Sequence, residues 1–295
     1  MKQSIYLFIL IIYVNISYSQ NFKVLDSITK EPFVAVKLGA NDGLYTNENG
    51  EFQLDKQKYD SINIFSLGYH ELKQSINKLN EIIYLIPKAE ELKEVVVLNK
   101  KHVFKTIGFL KNKSKFSWQI GSKHEFISVI KPNKIYENAF LEKIHFPIKQ
   151  SIFNDSLMNK TGVLRINIYS IKNNIPDKKI FSSIPISYSM DVNADVELNI
   201  SNNLIRFVKE GICIGIENIG IIDNNGEIIS NKRSSQLNLY FTSKASKDFD
   251  SIKTYTNSVF SDYDKLILVN DFLKNNTILK KEQYLIFGLT VSINK

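Results

Sequence analysis

The sequence contains few of the residues that build cross-linked or metal-bound folds. Its 295 residues include one cysteine, Cys213, and four histidines. A single cysteine excludes an internal disulfide framework and a cysteine-based zinc cluster. The histidines are widely separated, and no two have the spacing of a metal-binding pair: His70, His102, His124 and His145. We therefore predict neither a metal site nor a cofactor.

Arginine is also scarce, although the chain is basic. The formal net charge is +8 at pH 7, and 35 lysines stand against three arginines, Arg165, Arg206 and Arg233. Arginine is the residue that makes bidentate contacts to phosphates and base edges. The charge therefore argues against a nucleic-acid partner and is typical of a solvated, lysine-rich surface.

A sustained apolar run occurs only at the N-terminus. Lys2 precedes the apolar residues 5–14, and small residues follow up to Ser19. This order is typical of a secretory signal peptide, so we predict residues 1–19 as the signal, with cleavage between Ser19 and Gln20. A retained anchor helix is the alternative, but a bilayer-spanning helix needs about 20 apolar residues. We expect an exported mature chain without a transmembrane segment, located in the periplasm, at the outer membrane or outside the cell.

Residues 20–98 alternate between short apolar runs and turn signals. The turn signals include Asn41-Asp42-Gly43 and Asn47-Glu48-Asn49-Gly50, which favour tight hairpin turns. Short strands with regular turns and no helical period favour a Greek-key β-sandwich. The runs predict seven strands, at residues 22–25, 34–38, 44–46, 51–54, 61–65, 71–76 and 82–86.

The same region carries a spaced set of motifs. They are Val24-x-Asp26-x-x-Thr29-x-Glu31-Pro32, Gly43-x-x-Thr46-Asn47-x-x-Gly50-x-Phe52-x-Leu54, Ile64-x-Ser66-x-Gly68-Tyr69 and Leu85-x-Pro87. In order and spacing this set resembles the carboxypeptidase-regulatory-like domain, a transthyretin-like β-sandwich of exported Bacteroidetes-type proteins. The resemblance implies an accessory module. It does not imply peptidase activity, because the sequence has no counterpart of the separate zinc-binding catalytic domain.

The segment Leu92-Lys93-Glu94-Val95-Val96-Val97 extends the resemblance. In related outer-membrane receptors such a segment precedes a plug and a barrel, which implies a strand offered to an energy-coupling partner. The alternative is a last strand of the sandwich. The residues after 98 are too few for a plug and a large receptor barrel, so we do not predict a transporter.

We interpret residues 99–115 as a linker and residues 116–295 as a second, jelly-roll-like β-sandwich. The chain is therefore predicted to be all-β. Apolar and polar residues alternate with period two, which is typical of antiparallel sheets with one solvated face. The alternating segments are 144–148, 164–168, 196–200, 237–241 and 285–293. In architecture alone this half resembles jelly-roll modules that bind carbohydrate, and it implies no site residues.

The sequence has no motif of nucleophilic or phosphate chemistry: there is no Gly-x-Ser-x-Gly elbow, P-loop or dinucleotide fingerprint. Residues 223–227, DNNGE, lack the ligand spacing of a calcium loop and predict a hairpin turn. Asp262 and Asp264 would share one strand face, where we expect solvated side chains. We therefore predict no catalytic residues.

Three aromatic residues are the candidates for ligand binding. Trp118 follows Phe116 on the same strand face, and Tyr169 and Tyr240 fall on predicted wet faces. Sugar rings stack on exposed aromatic faces, as apolar groups do. Packing in the core is the alternative for Trp118.

These observations favour an exported, non-catalytic binding or surface-assembly protein, with a glycan or an envelope protein as its partner. One alternative is a hydrolase that acts on extracellular glycan or peptide through paired carboxylates, which would need contrasting pKa values. Another is a structural accessory of an outer-membrane complex that adds residues 95–97 to a partner's sheet.

Overall fold

A computed structural model describes residues 19–30, 35–38, 42–47, 49–88, 102–110, 116–150, 161–226, 228–230, 236–261, 265–276 and 281–294. Three sequence predictions lie outside these ranges: the signal peptide before Ser19, the segment at 95–97 and the pair at 262 and 264. The chain divides into two compact units, Met1–Glu90 and Glu91–Lys295. Within the described part, no helix is long and apolar enough to cross a membrane.

The described residues of the first unit form a β-sandwich of seven strands. They are β1 (Ser19–Asp26), β2 (Ala35–Leu38), β3 (Asp42–Tyr45), β4 (Glu51–Asp55), β5 (Ser61–Phe65), β6 (Leu72–Ser75) and β7 (Ile82–Leu85). One sheet has the order β4-β1-β7 and the other the order β3-β2-β5-β6. Each of the seven predicted strands has its counterpart. Asp42 and Gly43, predicted as part of a turn, instead begin β3.

The two sheets of the first unit enclose one apolar core. Alternate residues are buried in several strands, as in β4, where Phe52 and Leu54 point inward. The rings of Phe22 and Phe52 stack with centroids 5.3 Å apart. Gly50 has a φ of +76°, and a Cβ there would overlap the carbonyl oxygen of Val24. This turn therefore needs glycine for both conformation and space.

The second unit contains fifteen strands among its described residues, in two sheets. The eight-stranded sheet consists of β10 (His124–Pro132), β12 (Thr161–Lys172), β13 (Ile175–Ser182), β14 (Ile186–Ser189), β16 (Ile212–Ile222), β17 (Ile228–Ile229), β19 (Phe249–Ser258) and β20 (Ile267–Leu268). Its order is β13-β12-β16-β10-β19-β20, with β14 paired to β12 and β17 to β16.

The seven-stranded sheet consists of β8 (His102–Gly108), β9 (Phe116–Ile120), β11 (Phe140–Ile148), β15 (Ala194–Asn199), β18 (Leu237–Thr242), β21 (Tyr284–Leu285) and β22 (Gly288–Asn294). Its order is β21-β18-β11-β22-β8, with β15 paired to β11 and β9 to β18. A helix, α1 (Val269–Asn276), follows β20. Short 3-10 turns span Ile76–Lys78 in the first unit and Lys134–Tyr136 and Ser201–Asn203 in the second.

The chain of the second unit passes repeatedly from one sheet to the other. It leaves the seven-stranded sheet after β9, returns for β11, and crosses again for β12, β15, β16, β18, β19 and β21. The inward faces of both sheets, including Phe126, Ile166, Phe146 and Leu239, bury one continuous core. This alternation confirms the predicted jelly-roll-like sandwich and the all-β class.

The predicted linker at residues 99–115 is wrong in its middle part. His102–Gly108 forms β8, which pairs with β22 from Gly108 opposite Gly288 to His102 opposite Asn294. β8 is the last strand on its side of the sheet order, and at positions 103–108, where burial is described, Ile107 alone is deeply buried. An edge strand with one core residue gives too weak an alternation to be recognised between lysine-rich flanks.

The eight-stranded sheet departs from the predicted pattern of one dry and one wet face. Arg165, Asn167 and Tyr169 alternate with the core residues of β12, which predicts them on a solvated face, yet all three are buried. The neighbouring strand β16 is buried along almost its whole length. A strand that is covered on both faces usually has a continuous apolar sequence, as residues 212–216 do. β12 is also covered on both faces, but its sequence alternates between apolar and polar residues. Alternation in one strand therefore does not show whether its second face is covered.

Candidate functional site

A pocket of about 270 Å³ opens between the two sheets of the second sandwich, beside Trp118. We call it the Trp118 pocket. Its lining combines aromatic, aliphatic and uncharged polar side chains. The residues used below are Trp118, Gln119, His124, Thr256, Ile267 and Phe272. They come from five elements: β9, β10, β19, β20 and α1.

Strand pairing and one helix bring these segments together. Trp118 on β9 lies opposite Leu239 on β18, a core residue, so the indole is on the inward face of its sheet. Thr256 on β19 lies opposite the buried Phe126 on β10, which places the hydroxyl on the inward face of the other sheet. Helix α1 adds Phe272, whose ring is 42% exposed.

The indole of Trp118 is held between a core ring and a more exposed one. Phe116 contacts it edge to face, with centroids 6.4 Å apart and an interplanar angle of 87°, and Phe116 itself contacts the buried Phe241. On the pocket side, the Phe272 ring lies 5.1 Å from the indole at an angle of 56°. The indole is thus fixed from the core side and only partly covered on the pocket side.

The hydrogen bonding of His124 fixes the roles of its two ring nitrogens. Nδ1 lies 3.0 Å from the carbonyl oxygen of Ser122. A carbonyl oxygen can only accept, so Nδ1 carries the hydrogen and donates it. In the neutral ring the other nitrogen, Nε2, is then an acceptor. His124 lines the Trp118 pocket, and in its neutral form the lone pair is on Nε2.

The three aromatic residues predicted to bind ligand do not form one site. Trp118 lines the pocket. Tyr240 lies opposite Ser117, on the other face of the same sheet, where its hydroxyl donates to Asn193 Oδ1 at 3.2 Å. Tyr169 is in the other sheet and is only 1% exposed, so its prediction as a wet-face platform is wrong. Its side chain is on the outer face of that sheet, and this face is covered.

The covered outer face of the eight-stranded sheet carries a polar group that we call the glutamate cluster. Its members are Glu125, Asn167, Tyr169, Lys179 and Glu217. Asn167 Nδ2 donates to Glu125 Oε1 and to Glu217 Oε2, both at 2.8 Å. The Tyr169 hydroxyl lies 2.8 Å from Glu125 Oε2. The two carboxylates are 3% and 0% exposed.

Burial controls the charge state of this cluster. The pKa of Glu125 is raised to about 7, chiefly by removal from water; Lys179 opposes the shift and the nearby Glu217 adds to it. Burial also lowers the pKa of Lys179, whose ammonium lies 5.5 Å from the centre of the Tyr169 ring. Arg165 is the cross-strand neighbour of Glu217. Carboxylates bonded in this way organise the sheet interior and are shielded from a substrate.

A hydroxyl, an imidazole and a carboxylate line up on the outer face of the seven-stranded sheet. His145 Nε2 lies 3.0 Å from Thr290 Oγ1, and its Nδ1 lies 3.2 Å from Glu197 Oε2. The order is that of an acyl-transfer triad. Thr290, however, is in the middle of β22, between β8 and β11, so its backbone groups serve the sheet. A hydroxyl within a strand that is paired on both sides is explained by its place in the sheet, and we assign it no catalysis.

The remaining polar motifs have structural roles. Cys213 is a buried free thiol whose pKa is raised by burial. Asp223 starts the turn between β16 and β17: its carboxylate accepts from the Asn225 N–H, and Gly226 has a φ of +83°. Among the residues with described positions, no group of three or more His, Cys, Asp or Glu is arranged to hold a metal ion.

Comparison with known proteins gives one distant structural likeness. No family model matches the sequence, and no curated protein matches it. The fold is similar to the crystal structure of the cysteine protease and lectin-like domains of Cwp84, a surface layer associated protein of Clostridium difficile, with a TM-score of 0.37 and 10% identity. The alignment covers 89% of this chain and 59% of that one, so this chain spans less than two thirds of its length.

Proposed function

We propose that the chain is an exported, non-catalytic binding protein of the cell envelope whose second sandwich holds a glycan in the Trp118 pocket. The observation that carries the proposal is the pocket itself. A concave site with apolar walls and a few polar groups is the usual form of a small-ligand site. The support for export is the sequence pattern of residues 1–19.

The chemistry of the pocket suits a sugar ring. The C–H faces of a sugar stack on aromatic rings, and Trp118 and Phe272 supply two such rings at an angle of 56°. Ring hydroxyls need neutral partners that can donate or accept, which the Thr256 hydroxyl provides. Ile267, 50% exposed, adds apolar surface to the lining.

For the first unit we propose a carboxypeptidase-regulatory-like accessory module. Support comes from contacts between the motif residues that carry the resemblance. The Tyr69 hydroxyl donates to Asp26 Oδ2 at 2.6 Å, and Asp26 Oδ1 accepts from the Thr29 N–H at 2.9 Å. Phe52 and Leu54 are both buried in the core. The motif therefore has a consistent structural role in this sandwich.

A carboxylate-dependent hydrolase of extracellular glycan or peptide is the second candidate. One observation favours it: Glu125 and Glu217 share a hydrogen-bond donor, and the pKa of Glu125 is raised to about 7, near that of a general acid. Against it stands the burial of both carboxylates. Release of reducing ends from polysaccharide by the wild-type chain, lost in Glu217→Gln, would favour the hydrolase over the binding protein.

A structural accessory of an outer-membrane complex stays a prediction from the sequence, since residues 95–97 lie outside the described ranges. It expects an envelope protein to co-purify with the chain. Deletion of these three residues should release that protein without affecting glycan binding.

A glycan array with the purified chain tests the leading proposal. We expect binding to a subset of glycans, strongly reduced in Phe272→Ala, which removes an exposed ring of the pocket. The matched control is Phe104→Ala, because Phe104 is also exposed, at 64%, and lies on β8 away from the pocket. A silent array, or equal binding by both variants, contradicts the proposal.

A further inference from the structure

We propose that the Trp118 pocket binds a single uncharged sugar ring, and that His124 selects it by accepting a hydrogen bond from one ring hydroxyl. This inference rests on the proposed glycan-binding function and specifies its ligand. It follows from the size of the pocket, the charge of its described lining and the fixed tautomer of His124.

The size of the pocket limits the ligand to about one ring. Pockets for drug-sized ligands have volumes of about 300–1,000 Å³. The Trp118 pocket, at about 270 Å³, falls just below this range. The volume therefore fits one sugar unit, which lies against the two aromatic rings and not between them, because their centroids are only 5.1 Å apart. Any further units of the glycan extend into solvent.

The described lining of the pocket is electrically neutral. The polar side chains on the inward faces are His124 and Thr256, whereas Gln119 lies opposite Asn238 on the other face of its sheet. None of the described lining residues is Asp, Glu, Lys or Arg. A carboxylate that enters such a site loses its hydration and gains no counter-charge, which is strongly unfavourable. A neutral hexose loses only hydroxyl hydration, and the Thr256 hydroxyl and the His124 imidazole replace it. The lining thus favours neutral sugars over uronic acids.

His124 adds directional selectivity. With Nδ1–H donated to the carbonyl oxygen of Ser122, the neutral ring presents Nε2 as an acceptor. An acceptor nitrogen forms a hydrogen bond with a hydroxyl, but not with an ether or a methylated oxygen, because these have no hydrogen to donate. The sugar should therefore keep one free hydroxyl next to His124.

Tryptophan fluorescence gives a direct readout, because Trp118 is the only tryptophan of the chain. The full chain is titrated with glucose, galactose, mannose and N-acetylglucosamine, and then with glucuronate and galacturonate. We expect a saturable change with at least one neutral sugar and at least tenfold weaker binding of its uronate. Equal or tighter binding of the uronate overturns the inference but leaves glycan binding intact. Array binding that is insensitive to Phe272→Ala, with no fluorescence response, overturns both.

The role of His124 is tested by coupling a variant to a modified sugar. His124→Ala should weaken binding of the neutral sugar about tenfold, and His124→Gln, which keeps an acceptor, should restore part of it. One deoxy derivative of that sugar should bind the wild type about tenfold more weakly than the parent sugar does. The same derivative should bind His124→Ala as tightly as the parent sugar binds that variant. His70→Ala, at an exposed histidine of the first unit, is the control. If the loss of binding free energy from His124→Ala simply adds to the loss from every deoxy modification, the assignment is overturned.

Discussion

The carboxylate of Glu125 occupies the space that a side chain on Gly215 would fill. The two residues are on neighbouring strands, β10 and β16, and a Cβ on Gly215 would overlap Glu125 Oε1. It would also lie 3.1 Å from Tyr169 Cε2. The backbone of Gly215 does not adopt positive φ, so the requirement is one of space. Glycine at this position allows two carboxylates to fit within the covered face of the sheet.

We therefore expect Gly215→Ala to destabilise the second sandwich by about 1–3 kcal/mol, the usual cost of overpacking. Urea unfolding followed by Trp118 fluorescence measures this loss for the second unit alone. Gly121→Ala is the matched control, because the atom nearest to a Cβ there is His124 Nδ1 at 3.9 Å, an ordinary contact. Equal stability of the two variants would show that the space over Gly215 is not needed.

The raised pKa of Glu125 makes the stability of the second sandwich depend on pH. A carboxyl group whose pKa is about 7 in the folded chain and 4.5 in the unfolded chain stabilises the fold fully below about pH 4.5. This contribution, up to about 3 kcal/mol, is lost as the pH rises through 7. Lys179, Arg165 and Glu217 face the same group, and burial lowers the pKa of Lys179.

Glu125→Gln should remove this dependence. We expect the wild type to be less stable to urea at pH 8 than at pH 5. The variant should show a smaller difference between the two pH values. At pH 8 it should be more stable than the wild type. Urea midpoints at both pH values, read from Trp118 fluorescence, give the comparison. Glu81→Gln, at an exposed site of the first unit, is the control. An unchanged pH slope in Glu125→Gln would refute the assignment.

In the first sandwich the pH effect has the opposite sign. Hydrogen bonds from the Tyr69 hydroxyl and from the N–H groups of Ile28 and Thr29 lower the pKa of Asp26 to about 2. The stability that ionised Asp26 contributes is present above its unfolded pKa of 3.8 and is lost as the pH falls through 2. Asp26 therefore protects this unit against acid.

Tyr69→Phe should raise the pKa of Asp26 toward its ordinary value and shift acid unfolding of the first unit to higher pH. The carboxyl pKa is measured by NMR titration, and unfolding by circular dichroism. Tyr84→Phe is the control, since Tyr84 is on β7 of the same unit and is 58% exposed. If both variants unfold at the same pH, the Tyr69–Asp26 bond does not provide the acid resistance.

The difference between what the sequence predicts and what it misses follows from the range of the interactions. The strands of the first unit can be predicted because apolar and polar residues alternate within strands such as β4, and because turns such as that at Gly50 depend on neighbouring residues only. Trp118 is recognisable as a single aromatic residue. His124 and Phe272 join it only through the pairing of β10 with β19 and the position of α1. Likewise, alternation in β12 cannot show that Asn167 is covered.

Asn167 is the shared donor of the glutamate cluster, so its loss should be more severe than that of an ordinary asparagine. Asn167→Leu leaves Glu125 and Glu217 without a common donor in a buried site, and it removes the acceptor of the Ser182 hydroxyl, which donates to Asn167 Oδ1 at 2.7 Å. Unsatisfied buried groups cost about 1–3 kcal/mol each, and more when charged. We expect a loss of at least about 3 kcal/mol in urea unfolding at pH 8.

The loss should shrink when one carboxylate is neutralised. The double variant Asn167→Leu/Glu125→Gln should be more stable at pH 8 than Asn167→Leu alone, because a neutral amide loses less than a carboxylate when its donor is removed. Asn202→Leu, at an exposed position of a 3-10 turn, is the control and should change stability little. Strict additivity of the Asn167 and Glu125 changes would mean that the amide does not couple to the glutamates, and the cluster would then be a set of independent contacts.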